Sequence, residues 1–500
     1  MKHRRPMERN RALFPLLLFF PILLLCAPRC PEPGGELGVL DTTPAAHAMD
    51  VAPEAAITVV FDRPVRIDTL DRETFRVFGS GTGNAAGRFT AAQGGSAVIF
   101  TPDAPFSAGE SVTVNLSHDI AGADGSRLRA AGYAFRFVIR SVPTAGIFTE
   151  IARVSNRNPQ GGATRIYGAV AADLDGDRFL DLTTVNEGSG DLRVFLNRAD
   201  GSGLFEDFLP PVPIGEEASP NRAADFDNDG ITDLCVSATE SNSVWVLLGA
   251  GDGTFSSVEE IPVGMKPHGI AVLDVDGDGD PDIVNTNNES DDLSLLRNDG
   301  RGNFSEPVFF DAGVIGEYGL DAGDMNNDGI FDLVVGARDR FEIPVLLGNG
   351  DGTFTPHPEI QDSGGQTWVV VLGDVDGDGN LDASTANSRT GNGAILLGDG
   401  TGALAPPSIM ETGAHTVSTD LGDLDGDGDL DWILSCFGCN AWKFYENDGA
   451  GDFSFDMEIS APANPSCAVI YDADNDGDLD VTLTDEIADL LLLMVNDSDL

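Results

Sequence analysis

A nine-residue, Asp-rich segment recurs seven times at an almost constant interval, and this restricts the fold more than any other feature. The copies start at Asp173, Asp225, Asp274, Asp324, Asp374, Asp423 and Asp472, which are 52, 49, 50, 50, 49 and 49 residues apart. A fixed period of this size belongs to solenoids, propellers or arrays of small units. A second landmark keeps the same beat. LLGAGDGTF ends at Phe255, LLRNDGRGNF at Phe304 and LLGNGDGTF at Phe354, with looser versions at Phe205, Leu404 and Phe453.

Each copy places oxygen-bearing side chains at relative positions 1, 3, 5 and 9. In chain order they are Asp173, Asp175, Asp177 and Asp181; Asp225, Asp227, Asp229 and Asp233; Asp274, Asp276, Asp278 and Asp282; and Asp324, Asn326, Asp328 and Asp332. The last three copies supply Asp374, Asp376, Asp378 and Asp382; Asp423, Asp425, Asp427 and Asp431; and Asp472, Asp474, Asp476 and Asp480. Alternate residues of a tightly curled loop converge on one point, and Ca²⁺ takes six to eight oxygen ligands at about 2.3–2.6 Å. Without a cation, carboxylates this close repel one another. Asn326 replaces one Asp, and Arg178 stands where the other six copies have Gly, so the first loop is expected to hold its ion less tightly. An EF-hand needs a Glu at position 12 and flanking helices. Position 12 is Thr184, Val236, Asn285, Val335, Thr385, Leu434 and Leu483, which excludes it.

Short runs rich in Val, Ile and Leu flank each loop, with Gly/Asn/Asp turns between them, and such runs read as strands. Each unit offers four strands: before the loop, after it, into the glycine turn, and after the G-x-F. Four-stranded sheets at this period are the signature of propeller blades. The DxDxDGxxD loops together with the GDGTF landmark resemble the FG-GAP/VCBS repeats of integrin α-subunits and many bacterial surface proteins. The resemblance covers about residues 146–496 and implies a Ca²⁺, as a structural ion, between the first two strands of each blade. The last unit stops at Leu491-Leu-Leu-Met-Val-Asn without an outer strand, and Ala145-Gly-Ile-Phe-Thr-Glu-Ile supplies one ahead of the first unit. The expectation is an all-β chain ending in a seven-bladed β-propeller over 146–496, closed by the strand 146–155.

Residues 1–30 combine Lys2, Arg4, Arg5, Arg9 and Arg11 with an apolar run from Ala12 to Cys26, the pattern of a secretory signal peptide. Export follows, to the medium or to a bacterial cell surface. Leu25 before Cys26 is larger than lipoprotein signals carry, so lipid anchoring is the lesser expectation. No other segment is apolar enough to span a bilayer. Residues 31–38 read as a linker. Over 39–141, runs such as ITVVF, AVIFT, SVTVNL and YAFRFV alternate between turn clusters, as in a β-sandwich. This stretch resembles the bacterial Ig-like domain, for which a spacer or adhesive role is expected.

Charge and cysteines narrow the function. The formal net charge is −53, which excludes nucleic acid as a partner. Positions 1, 3, 5 and 9 of the loops hold 27 of the 82 acidic residues, so much of that charge has a local purpose. For Cys436-Phe-Gly-Cys439, zinc lacks further ligands and a thioredoxin site lacks its βαβ setting; in an exported chain a local disulfide is expected. Cys235 and Cys467 fall in strands and read as buried. No GxSxG, HExxH or phosphate-binding glycine loop occurs. Seven-fold repetition of one acidic site argues against single-site catalysis, although a lyase or hydrolase acting on polysaccharide stays open, as does an architectural protein without a ligand. Six residues before the loops stand Tyr167, Ser219, His268, Tyr318, Trp368, Val417 and Ser466. Tyr167, His268, Tyr318 and Trp368 could line a site for an extracellular glycan or protein ligand, against the plainer reading that they pack between blades.

Overall fold

The computed structural model describes residues 35–158 and 161–496. The expected signal segment, most of the expected linker, Cys26 and Cys30 lie outside them. The described residues form nine four-stranded sheets, and only 3-10 turns, with no α-helix, accompany them. No helix among them is long and apolar enough to cross a membrane.

The first two sheets make the sandwich. One holds Val39–Thr43, Ile57–Phe61, Ala97–Pro102 and Gly87–Ala92; the other holds Gly83–Asn84, Phe75–Gly79, Ser111–Leu116 and Tyr133–Val138. Alternation in the sequence becomes alternation in burial: Ile57, Val59 and Phe61 point inward, where they meet Phe75, Val112, Val114, Phe135 and Phe137. This is the two-layer arrangement that half-buried strands require.

The remaining seven sheets are propeller-like. Six use four consecutive strands in order, such as Pro267–Leu273, Asp282–Asn287, Asp292–Leu296 and Val308–Phe310. The Asp loop joins the first strand to the second, and its position 9 is the second strand's first residue in every sheet. Every residue of these second strands is buried, because neighbouring sheets cover both faces. Enclosure on both faces buries polar residues as well, so Thr184, Asn186, Asn287, Asn387 and Thr484 find hydrogen-bond partners inside, as Asn186 does with Asp191 and Asn287 with Ser294. The seventh sheet takes Pro465–Tyr471, Asp480–Asp485 and Leu490–Asn496 from the end of the chain. Its outer strand is Phe148–Ser155, antiparallel to Leu490–Asn496. The innermost strands neighbour one another in succession, and Ile166–Ala172 of the first sheet lies against Pro465–Tyr471 of the seventh.

The sandwich does not stand off as a spacer. It lies on the Asp-loop face and, together with the connector that follows it, hydrogen-bonds to six of the seven loops. Asp173 N–H donates to Gly81 (2.8 Å), His118 N–H to Gly277 (2.8 Å), Ala134 N–H to Gly329 (2.8 Å), Val142 N–H to Gly477 (2.7 Å) and Thr144 N–H to Asp425 (2.8 Å). Arg76 is the wedge. Its guanidinium, 3% exposed, donates to the carbonyls of Gly279 (3.0 Å) and Asp225 (2.9 Å) and to Asn228, and lies 3.6 Å from Asp280. Arg presents several donors in one rigid fork, and here they tie the second loop, the third loop and the sandwich together.

Candidate metal loops and channel mouth

Position 9 of each loop is a backbone staple. Asp181, Asp233, Asp282, Asp332, Asp382, Asp431 and Asp480 each accept one N–H from loop position 2 and one from the residue sixteen further on. All fourteen bonds are 2.7–3.0 Å long, so each carboxylate fastens its loop to the end of the third strand. Burial pushes Asp181, Asp382 and Asp480 up to about 7 and Asp233, Asp332 and Asp431 up to about 8, against the pull of those N–H groups.

The other loop carboxylates turn inward. Ligand atoms of Asp173, Asp175 and Asp181 lie within 4.8 Å of one another, as do those of Asp274, Asp276 and Asp282, of Asp374, Asp376 and Asp382, and of two sets drawn from positions 1, 3 and 5. Position 1 gives one oxygen to loop N–H groups, as Asp274 Oδ2 does to Gly279 (2.9 Å). Oδ1 of Asp225, Asp374, Asp423 and Asp472 is buried without a hydrogen-bond partner. Burial again raises these groups, Asp274 and Asp472 to about 7. Orphaned, inward carboxylate oxygens in an all-oxygen donor set fit a hard divalent cation, which neutralises the charge that burial opposes.

The backbone conforms to this role. Position 6 is left-handed in every loop, with φ of +93° at Gly230 and +96° at Gly279, and Arg178 is forced to +75°. A side chain there meets the strain that glycine avoids.

Glycine turns serve a purpose that sequence reading missed. Gly253, Gly302, Gly352 and Gly402 donate N–H to the position-2 carbonyls of the preceding sheet's loop, Leu174, Phe226, Val275 and Met325, at 2.8–3.1 Å. Where the turn differs, Asn447 and Asn496 reach Val375 and Leu424 through Nδ2, at 2.8 and 2.7 Å. Asn197 does the same from the first sheet to Ala473 of the seventh, at 2.8 Å. Each Asp loop is therefore also the latch for its neighbour. The recurrence of Gly twenty residues after position 9, or of Asn sixteen after it, was the available signal.

At the opposite end of the innermost strands, Tyr167, His268, Tyr318 and Trp368 converge. Tyr167 Oη is 2.8 Å from His268 Nε2 and accepts from Trp368 Nε1 at 2.6 Å. His268 stacks on Tyr318 with centroids 3.6 Å apart, and Tyr318 meets Trp368 at 4.5 Å. Burial keeps the imidazole of His268 neutral, well below its ordinary range. The cluster narrows the channel and leaves a pocket of about 290 Å³ on the outer side. Further in, two cavities of about 330 and 430 Å³ share Arg222 and Asp420 and end beneath the sandwich at Arg76 and Glu110.

A second ring surrounds the mouth. Fourteen residues after each loop start stand Glu187, Thr239, Asn288, Arg338, Ser388, Phe437 and Glu486, and all but Ser388 line the outer pocket or the cavity beneath it. Their mixed chemistry hid them, yet the period that located the aromatics locates these too. Cys436 and Cys439 are bonded, Cα atoms 5.3 Å apart, in the hairpin beside Phe437. Cys235 is buried, whereas Cys467 is only half-buried because it faces the inner cavity.

Residues 173–236, 225–285, 274–335 and 374–434 match the FG-GAP-like repeat, and residues 35–138 match the bacterial Ig-like domain. No curated protein matches the chain. Among solved structures, similarity extends to BBS1N in complex with ARL6DN, at 11% identity over 72% of this chain and 99% of that one, with a TM-score of 0.49. An Agrocybe aegerita lectin that recognises non-reducing terminal N-acetylglucosamine shows 16% identity over 85% of this chain and 94% of its own, with a TM-score of 0.41. A Bacteroides ovatus auxiliary nutrient binding protein shows 13% identity over 93% and 99%, with a TM-score of 0.37. With loops and sandwich in register with the family matches, the chain is a protein of FG-GAP-like repeats preceded by a bacterial Ig-like domain.

Proposed function

We propose that this is an exported, calcium-stabilised binding module. Residues 1–30 direct export, 39–141 form the sandwich, and 146–496 form a seven-bladed propeller closed by 146–155. One Ca²⁺ sits in each Asp loop, and the ligand, an extracellular glycan or protein, docks at the mouth opposite. The convergence of Tyr167, His268, Tyr318 and Trp368 on one pocket carries this reading. Aromatic and polar groups gathered in a concave site suit small ligands and interface anchors alike.

The ions are structural. Extracellular calcium modules bind at about 10⁻⁴–10⁻³ M, and a ligand at a few times its Kd stabilises the folded state by about 1 kcal/mol per site. Thermal unfolding of residues 31–500 in excess EDTA and in millimolar CaCl₂, with bound metal counted, tests the loops. A large rise in Tm with one ion per loop is expected; an unchanged Tm refutes it. Screening the Ca²⁺-loaded protein against glycans and extracellular proteins tests the mouth. Every ligand found should be lost when Tyr318 and Trp368 are replaced together.

A further inference from the structure

Resting on the reading of the mouth as a ligand site, we infer that its ligand is a sugar acid, a hydroxylated monocarboxylate held through Arg338. The chain has 29 basic residues against 82 acidic ones, so an unpaired cation stands out. The Arg338 guanidinium lies 4.9 Å over the Tyr318 ring and 4.7 Å over the Trp368 ring. Among the described residues it makes no ion pair and no side-chain hydrogen bond, and its Nε is buried without a partner. Neighbouring Asp339 instead faces Arg389, at 3.6 Å. Contact with two rings holds the guanidinium in place, and its Nη1 and Nη2 have no partner among the described residues. The donor edge of a guanidinium matches a carboxylate with two parallel N–H···O bonds.

Three observations narrow the class. Besides Arg338 Nε, Asn288 Nδ2 of this pocket is a buried donor without a partner, so the wall is short of acceptors, which an acceptor-rich ligand supplies. Glu217 and Glu289 stand in the same pocket and accept from hydroxyls, while they and the net charge of −53 repel a polyanion. At about 290 Å³ the pocket is at the small end for ligand sites, roughly 300–1,000 Å³. It holds one sugar ring, hence a free sugar acid or the terminal residue of a chain.

The experiment is calorimetric titration of the Ca²⁺-loaded full chain with glucuronate, galacturonate, glucose and galactose, with Trp fluorescence as a second readout. Arg338→Gln and Arg338→Lys are titrated alongside, each first shown to melt with the parent. A uronate should bind at least tenfold tighter than its neutral parent sugar. Arg338→Gln should remove that preference, and Arg338→Lys should restore only part of it. Equal binding of acid and neutral sugars, or a preference that survives Arg338→Gln, overturns the sugar-acid assignment and leaves the mouth standing as a site. No binding of any of the four overturns the assignment too. A screened ligand that is then also indifferent to replacement of Tyr318 and Trp368 removes the mouth itself.

Discussion

At the loop end of the channel, position-9 carboxylates accept backbone N–H groups, position-2 carbonyls latch neighbouring sheets, and the sandwich above has its Arg76 wholly engaged. At the mouth, Arg338 lies on two aromatic rings, half-buried, without a side-chain partner and with glutamates in the same pocket. The two ends are built from the same repeat, one on the loops between first and second strands, the other on the hairpins that follow. What differs is what is satisfied. At the loop end Arg76 and the position-9 carboxylates are paired and the orphaned position-1 oxygens face the proposed ion, whereas at the mouth the Arg338 side chain has no partner. Buried polar groups that are fully paired rigidify a structure, whereas an unpaired, partly open group costs stability unless a ligand completes it. The loop end is therefore expected to govern stability and the mouth to govern recognition.

Substitutions at the two ends should separate these roles most sharply. Asp282→Ala removes a carboxylate that accepts from Val275 and Asn298 at 3.0 and 2.8 Å. It strands two buried N–H groups and removes one proposed metal ligand, at a cost of about 3–5 kcal/mol. Arg338→Gln, which breaks no side-chain hydrogen bond but gives up the contacts with the Tyr318 and Trp368 rings, should cost no more than about 1 kcal/mol. Chemical denaturation in CaCl₂ measures both; equal losses would dissolve the distinction. Next in size is Arg76→Ala. It unpairs Asp280 and removes the donors to Gly279 and Asp225, which should weaken docking of the sandwich by about 3 kcal/mol. Limited proteolysis should then cut the connector between Val138 and Phe148 while the repeats keep their own melting transition. Resistance equal to the parent's would show that Arg76 is no wedge.

Much of this was legible in the chain because periodicity reports local geometry. Alternating Asp residues face one point whatever surrounds them, and apolar runs between glycine turns have few alternatives to strands. Docking of the sandwich was illegible for the opposite reason. Arg76 sits in the run FRVFG like any surface-facing polar residue of a strand, and its partner carbonyls lie 149 and 203 residues away. Arg338 escaped notice because its ring repeats in position without repeating in chemistry. The aromatics were found by type, yet only the structure places Tyr318 face to face with His268.

A smaller effect tests the inner channel, which belongs to neither end. Asp420 accepts from Ser418 Oγ at 2.9 Å and from Ala468 N–H at 3.3 Å, and burial pushes it up to about 7 despite nearby Arg222. A carboxyl raised on folding contributes its stability below its unfolded value, near 4, and loses it as pH rises through 7. Because this group faces a cavity, the loss is about 1–2 kcal/mol, less than the full shift implies. Asp420→Asn should therefore raise Tm at pH 8 and have little effect at pH 4. A gain that is the same at both values would place the cause outside titration.

The smallest expected change is a gain at the loop end. Arg178 holds φ at +75° where six glycines occupy the same position. Replacing a strained side chain by glycine relieves the left-handed conformation, and the freedom glycine adds to the unfolded chain offsets part of it. The net gain should be about 0.5 kcal/mol. Arg178 also brings a positive charge into the loop of Asp173, Asp175 and Asp177, where it competes with a divalent cation. Arg178→Gly should then raise Tm more in CaCl₂ than in EDTA, since relief of strain acts in both and relief of competition only when the ion is present. An equal rise in both would mean that strain alone sets the first loop apart. No rise in either would mean that its backbone accommodates Arg178 as readily as glycine.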